Sequence, residues 1–140
     1  MGTKIELNPA LTPGLHSEAA ETVNERNTAR SLGSGGLDVY ATPAMIALME
    51  KASALAVSPL LPENCSTVGT EIRVKHLAAS PLGAKIRAES ELTAVDGRKL
   101  SFTVQAWDDK ELIGQGEHER FIIDNKKFME KAEGKLLSRE

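Results

Sequence analysis

A glutamate interrupts the most apolar stretch of this sequence. Between Pro43 and Val57 nearly every residue is Ala, Met, Ile, Leu or Val, yet Glu50 lies in the middle of the stretch. Burying an ionised carboxylate costs several kcal/mol unless another group pairs with it. Because a poorly solvated carboxylate is a stronger base than one in water, Glu50 is the first candidate for chemistry.

Two other side chains could act together with Glu50. His76 lies on the apolar side of a predicted strand with Ile72 and Val74, and Thr42 lies two helical turns before Glu50. A carboxylate, an imidazole and a hydroxyl near a helix N-terminus suit acyl transfer. They can supply a nucleophile or base, a proton carrier and a donor to an oxyanion.

Each of these residues also has a purely structural explanation. Glu50 could pair with an Arg or Lys of a partner subunit. His76 could be a core histidine whose hydrogen bonds are satisfied, and Thr42 could serve only as a helix cap. Residue types and periodicity therefore predict a pocket with perturbed titratable groups, and no more than that.

The helix that carries Glu50 has clear boundaries. Thr42 and Pro43 predict its start, with Thr42 as the cap, and Pro59 predicts its end near Ser58. The central helix, about residues 43–58, is apolar nearly all round, which predicts that other parts of the protein enclose it.

The rest of the chain reads mainly as strands. A weak strand is predicted at 16–23, four long alternating strands follow the central helix, and a C-terminal helix begins near Asp124. The long strands are TEIRVKHL, AKIRAESELTA, KLSFTVQAWD and ELIGQGEHERFIID. This pattern predicts an α+β fold in which a curved, mostly antiparallel sheet wraps around the central helix.

One turn can be predicted in detail. Asp96-Gly97 indicates a tight hairpin between the second and third long strands. A two-residue loop would place Leu92 on the wrong face, whereas an odd loop places it opposite Leu100 or Phe102. We therefore expect a three-residue turn with Gly97 in the left-handed conformation.

Composition excludes several classes of protein. The 140 residues fit a single domain, 1–140, in which residues 1–14 form an irregular arm. A net charge of −3 gives no reason to expect nucleic acid, and no apolar run is long enough to span a membrane. The lone Cys65 and the lack of a signal-peptide pattern lead us to expect a cytoplasmic protein.

Two motifs that could bind ligands are incomplete. The glycines of GSGG, residues 33–36, lack the Lys-Ser/Thr of a phosphate-binding loop and predict a flexible surface loop. His16, His76 and His118 do not have the spacing of metal ligands, so we expect no metal site.

Four segments together resemble the hot-dog-fold thioesterases, specifically the fluoroacetyl-CoA thioesterase-like group. They are TPAMIALMEKASA, VGTEIRVKHLAASPLGAKIRAESEL, VDGRKLSFTVQAWD and IGQGEHERFIID. The resemblance covers about residues 40–124 and keeps the order Thr, helix, Glu, Val-Gly-Thr, His. It implies a hot-dog fold and a homodimer, or a dimer-based tetramer, whose sheets join edge to edge. It also implies an acyl-CoA site at the subunit interface.

The resemblance assigns roles to five residues. It implies that Thr42, Glu50 and His76 form the catalytic trio, that Gly69 and Arg120 touch the substrate, and that no cofactor is needed. Glu50 would attack the thioester carbonyl or activate water, and Thr42 would bind the carbonyl oxygen. His76 would protonate the departing thiolate or position the water. Glu50 and His76 need not belong to the same chain.

One segment departs from the family pattern. The fluoroacetyl-specific enzyme carries phenylalanines over the acyl group, whereas SLGSGGLDVY, residues 31–40, has Tyr40 as its one aromatic residue. The expected activity is therefore hydrolysis of a short- or medium-chain acyl-CoA. The alternative is a non-catalytic acyl-CoA-binding or regulatory domain. A hot-dog hydratase would need an Asp five residues before a His, and the sequence has no such pair.

Overall fold

The computed structural model describes residues 5–137, and it contains one five-stranded antiparallel sheet curled around a long helix. Neighbouring strands in the sheet follow the order β1-β3-β4-β5-β2. In chain order the elements are β1 (His16–Thr22), α1 (Ala29–Leu32), α2 (Thr42–Val57), a 3₁₀ turn (Ser58–Leu60), β2 (Cys65–His76), β3 (Lys85–Asp96), β4 (Lys99–Trp107), β5 (Leu112–Asp124) and α3 (Asn125–Gly134). The predicted α+β arrangement, with a central and a C-terminal helix, is confirmed.

The start of α2 differs from the prediction in one respect. The cap position belongs to Ala41, whose side chain makes no capping hydrogen bond, and the first intrahelical bond joins the Met45 N–H to the Ala41 carbonyl. Thr42 and Pro43 are already helical residues. The prediction that Thr42 caps the helix is therefore wrong, and its hydroxyl can bond elsewhere.

One side of α2 forms the centre of the core. The helix packs mainly over β1 and β3, because those strands contribute small or branched side chains such as Ala19, Ile86 and Ala88. A second cluster, around Phe102, closes the far end of the sheet. The core residues of α2 are Ala44, Met45, Leu48, Met49, Ala52, Ser53, Ala56 and Val57.

The opposite side of α2 is not enclosed within this chain. Pro43 and Ala47 are exposed, while Ile46, Glu50 and Ala54 are half-buried. We call these five residues the open stripe of α2. The expectation that protein encloses the helix all round therefore fails along this stripe. An apolar helix surface that lacks a cover within its own chain is typical of an interface.

The β3–β4 hairpin shows where the predicted odd residue lies. Asp96 pairs with Lys99, so the loop has two residues, and Gly97 has a φ of 60°. Leu92 lies opposite Phe102, as expected, because the register shifts at Thr93. The extra residue is therefore a β-bulge within β3 and not a third loop residue.

A second bulge sets the register of the edge strand β2. Gly69 pairs with Arg120 and Glu71 pairs with Glu119, so Thr70 has no partner of its own in the ladder. The shift restores the apolar alternation and places Ile72 opposite His118. The inner face of β5, which its glycines obscure in the sequence, consists of Gly114, Gly116, His118, Arg120 and Ile122.

The segment before α2 contains a short helix, α1. Thr28 caps α1 by accepting a hydrogen bond from the Ser31 N–H, and Gly33 ends it with a φ of 72°.

At the other end of the chain, Asp124 caps α3, which has no buried residue. Among the described residues, no helix is long and apolar enough to cross a membrane.

Candidate active site

The first part of the candidate site joins α2 to β2. The Thr42 hydroxyl lies 2.7 Å from Nδ1 of His76, the last residue of β2. Two backbone hydrogen bonds hold the helix start in this place: the Tyr40 N–H donates to Ser80 and the Ala41 N–H donates to Asn27. The positive end of the α2 dipole therefore points to the same place as an imidazole and a hydroxyl.

His76 is held in its neutral form. Burial lowers the pKa of His76, and a hydrogen bond to the backbone of Ala78 offsets part of that effect. Its Nε2 is buried and has no hydrogen-bond partner in the described part of the chain. Nδ1 is thus the ring atom that contacts the Thr42 hydroxyl, and Nε2 is the buried ring atom left without a partner among the described residues.

A cleft of about 440 Å³ opens in front of this pair. Residues 34–36, from the GSGG segment, form one wall of it. Tyr40 contributes no aromatic cover, because it is 1% exposed and its hydroxyl donates to Glu21 at 2.5 Å. The lining residues are Ala29, Ser34, Gly35, Gly36, Leu37, Val39, Tyr40, Thr42, His76, Leu77, Ala78 and Ala79.

Glu50 lies in a second group of side chains. It is about 12 Å farther along α2 than Thr42, at 1.5 Å per residue. Its Oε2 is 3.4 Å from Nη1 of Arg120 and 3.9 Å from Nε2 of His118, and its side chain is 40% exposed. The expected burial of this carboxylate in an apolar pocket is therefore wrong for the single chain. Its partner is Arg120 of the same chain, whereas the sequence analysis considered an Arg or Lys of a partner subunit.

Arg120 is fixed from several directions. It is buried, its Nε donates to the Thr67 hydroxyl at 2.8 Å, and its Nη2 donates to the Thr67 carbonyl at 2.9 Å. Burial lowers the pKa of Arg120, whereas the charge and hydrogen bond of Glu50 oppose that shift. The guanidinium remains charged and presents Nη1 to the carboxylate.

Gly69 provides the space that the carboxylate occupies. A Cβ atom built on Gly69 would collide with Oε2 of Glu50, and it would lie 3.2 Å from Cε1 of His118 and 3.4 Å from Nη1 of Arg120. Gly69 does not have a positive φ. A glycine is therefore required here by the close approach of Glu50 and not by the backbone conformation.

His118 belongs to this group, although the sequence analysis considered it only as a metal ligand. It is 3% exposed, and its Nδ1 lies 2.7 Å from the Glu71 carbonyl. Its Nε2 lies 3.2 Å from Nη1 of Arg120. The available signal was the two-residue spacing of His118 and Arg120, which places both side chains on one face of a strand.

The structure thus brings the five predicted residues into two groups along one face of α2. Thr42 contacts His76, and Glu50 contacts Arg120 beside Gly69. Within residues 5–137, no group of three or more His, Cys, Asp or Glu side chains could hold a metal ion.

Comparison with known proteins agrees with this architecture. The sequence profile of the family described as "Fluoroacetyl-CoA-specific thioesterase" matches residues 23–126. The fluoroacetyl-CoA thioesterase of Streptantibioticus cattleyicolor is 42% identical over 98 residues, which is 70% of each chain. This chain belongs to the fluoroacetyl-CoA-specific thioesterase family.

Solved structures extend the comparison to the fold. A solved structure of a fluoroacetyl-CoA thioesterase is 35% identical, with a TM-score of 0.84 over 89% of this chain and 97% of that chain. A variant of that enzyme, in complex with fluoroacetate and CoA, gives a TM-score of 0.80 at 35% identity over 84% of this chain and 99% of that one.

A more distant neighbour is a hot-dog-like protein from Thermanaerovibrio acidaminovorans, which is 20% identical. It gives a TM-score of 0.85 over 94% of this chain and 98% of that chain. The predicted hot-dog fold is confirmed.

Proposed function

We propose that this member of the fluoroacetyl-CoA-specific thioesterase family hydrolyses an acyl-CoA thioester to the free acid and CoA. The observation that carries the proposal is the 2.7 Å contact between the Thr42 hydroxyl and His76 at the start of α2, facing a cleft. The related enzyme of Streptantibioticus cattleyicolor is named for the same class of reaction.

The start of α2 is suited to stabilising negative charge on the thioester oxygen. The first N–H groups of a helix lack intrahelical partners and carry partial positive charge. The N–H groups of Thr42 and Ala44 precede the first intrahelical bond, while Pro43 has none. The Thr42 hydroxyl adds a donor that is not used for capping. Such donors stabilise the oxyanion as the carbonyl is attacked.

His76 would move the proton. In its neutral form, the imidazole can position the attacking water, or take a proton from that water and pass it to the departing thiolate of CoA. Its lowered pKa keeps the imidazole unprotonated near neutral pH. The overall reaction consumes one water molecule and forms the free acid and the thiol of CoA. The proposed reaction therefore needs no cofactor.

Glu50 would be the base or the nucleophile, held in place by Arg120. Because it is two helical turns away from Thr42 in one chain, we propose that a second copy brings a Glu50 and a Thr42–His76 pair together. Support comes from the open stripe of α2, which contains Glu50, and from the twelve-residue edge strand β2. A homodimer, or a tetramer of such dimers, would cover both.

The substrate class follows from the cleft beside Thr42. Small side chains from residues 34–36 and 78–79 line it, and the buried Tyr40 leaves no ring over the acyl position. Such a wall favours an enzyme that accepts short- or medium-chain acyl groups over one that is selective for fluoroacetyl. The proposed setting is the cytoplasm, because the single cysteine, Cys65, has no disulfide partner in this chain.

A non-catalytic acyl-CoA-binding domain is the second candidate. The Glu50 carboxylate already faces a cation of its own chain, as expected of a structural ion pair. In that case the cleft would bind acyl-CoA and leave the thioester intact.

Measurement of thiol release from a panel of acyl-CoA substrates tests the proposal. We expect Glu50→Gln to lower the rate by about 10² to 10⁴ because it removes a catalytic oxygen base, while acyl-CoA still binds. His76→Ala should also lower the rate. The matched control is Glu63→Gln, at an exposed glutamate, which should retain the parent rate. If Glu50→Gln hydrolyses a good substrate as fast as the parent, the trio is structural and the binding domain is the better description.

A further inference from the structure

His118 has a defined proton on only one ring nitrogen. The Glu71 carbonyl can only accept, so the 2.7 Å contact with Nδ1 requires that Nδ1 carries the proton. Nε2 of the neutral ring is then a lone pair. Arg120 can only donate, and its Nη1 lies 3.2 Å from that lone pair. The two hydrogen bonds are mutually consistent only for one neutral tautomer.

This tautomer completes the set of acceptors around the buried guanidinium. Thr67 accepts from Nε and Nη2, so it fixes one edge of Arg120. On Nη1 the acceptors are His118 at 3.2 Å and Glu50 at 3.4 Å. The Glu50 side chain is 40% exposed, whereas the His118 side chain is 1% exposed and is held by its contact with the Glu71 carbonyl. His118 is therefore the rigid acceptor on this side.

We propose that His118 is a positioning residue that directs Nη1 of Arg120 toward the Glu50 carboxylate and so fixes the direction of the catalytic oxygen. The inference rests on the proposed role of Glu50 in thioester hydrolysis. His118 does not touch the substrate in this scheme. It acts through Arg120, and its effect should appear in kcat more than in KM.

Protonation of His118 would abolish the arrangement. A second proton, on Nε2, would face Nη1 of Arg120, so the hydrogen bond between them would be lost. The protonated His118 would then compete with Arg120 for the Glu50 carboxylate. The other groups around the ring are the Phe102 ring at 6.1 Å, the Glu71 carbonyl, and the carboxylate of Glu119. Burial and the charge of Arg120 lower the pKa of His118, while the Glu71 carbonyl and the carboxylates of Glu50 and Glu119 oppose this shift. The net pKa is lowered, so the neutral ring persists to mildly acidic pH.

Two substitutions separate the two hydrogen bonds. The amide of Asn reaches the position of Nδ1, so His118→Asn keeps the bond to Glu71 and loses the acceptor for Arg120. The longer Gln reaches the position of Nε2, so His118→Gln supplies an oxygen to Arg120. The matched control is His16→Asn, at an exposed histidine on β1.

The experiment combines kinetics with nuclear magnetic resonance of the Arg120 side chain. We expect His118→Asn to lower kcat by about 10- to 100-fold with little change in KM, because a displaced catalytic group is costly. His118→Gln should recover most of the rate. Because Gln does not titrate, this variant should also lose the part of the decrease in rate at acidic pH that protonation of His118 causes. The guanidinium should rotate slowly in the parent and in His118→Gln, and faster in His118→Asn.

The outcomes separate this inference from the proposed function. Unchanged kcat and unchanged guanidinium rotation in His118→Asn would overturn the positioning role, as would a His118→Gln variant as impaired as His118→Asn. If the parent hydrolyses no acyl-CoA, the proposed function fails instead. The rotation of Arg120 then decides alone: faster rotation in His118→Asn supports the positioning role, and equal rotation refutes it.

Discussion

The hydroxyl of Thr42 bonds across the molecule to His76 and leaves the helix that it begins without a side-chain cap. The contact spans 34 residues of sequence and joins the first turn of α2 to the end of β2. A threonine at a helix start usually accepts from the N–H groups of its own first turn. Here the hydroxyl contacts an imidazole, so a hydrogen-bond donor for the oxyanion lies beside the proposed proton carrier.

The first prediction separates the hydroxyl of Thr42 from its shape. Thr42→Val has nearly the same volume but no hydroxyl, and the rate of thioester hydrolysis should fall about 10²- to 10³-fold through loss of an oxyanion donor. Thr42→Ser keeps the hydroxyl and should remain close to the parent. Because Thr42 is not the cap, Thr42→Val should lower the free energy of unfolding by only about 1 kcal/mol, the value of one hydrogen bond. Steady-state kinetics beside urea denaturation measures both effects, and equal rates for the two variants would contradict the role.

The second prediction concerns the space at Gly69. Gly69→Ala adds a methyl group where the Glu50 carboxylate lies, so Oε2 must leave Arg120 and activity should fall at least about tenfold. The control is Gly134→Ala, at a glycine with no atoms near the added carbon and no positive φ. It should leave the rate of thiol release unchanged. A Gly69→Ala variant as active as the parent would show that the carboxylate position is unimportant.

The third prediction concerns association through the open stripe of α2. The protein should be a dimer or a dimer-based tetramer, and Ile46→Asp should shift it toward monomer because a charge would be buried in an apolar contact. Multi-angle light scattering at micromolar concentration measures this. Leu137→Asp, at a side chain that is 87% exposed on the far end of the chain, should have no effect on mass. A parent protein that is only monomeric would contradict the two-chain site.

The fourth prediction concerns pH and stability. Burial lowers the pKa values of His76 and His118 below the ordinary 6.5, so the unfolded chain binds protons that the folded chain does not. Stability rises with pH wherever the unfolded state binds more protons. The free energy of unfolding should therefore be insensitive to these groups above pH 6.5 and should decrease as the pH falls below it. Denaturation curves between pH 5.5 and 7.5 test this, and His118→Gln should flatten the dependence because it removes one of the two histidines.

Local patterns in the sequence determined most of the elements. The alternation of the four long strands, the apolar central helix and the start of the C-terminal helix near Asp124 each depend on residues within a few positions, and the structure places them as predicted. The requirement for one extra residue near the β3–β4 hairpin also followed from face alternation alone. Its location at Thr93 did not, because a bulge and a longer loop satisfy the same parity.

The candidate site was determined only in part by the sequence. The apolar surroundings of Glu50 and the inward side of His76 identified the candidates, and the resemblance supplied Gly69 and Arg120. Only the tertiary structure decided the partners. Glu50 meets Arg120 across 70 residues, because the bulge at Thr70 and the strand order β1-β3-β4-β5-β2 bring the inner faces of β5 and β2 beside α2. Contacts at such separations depend on the register of whole strands, and the alternation of β5, which its glycines obscure, did not show that β2 carries a bulge at Thr70.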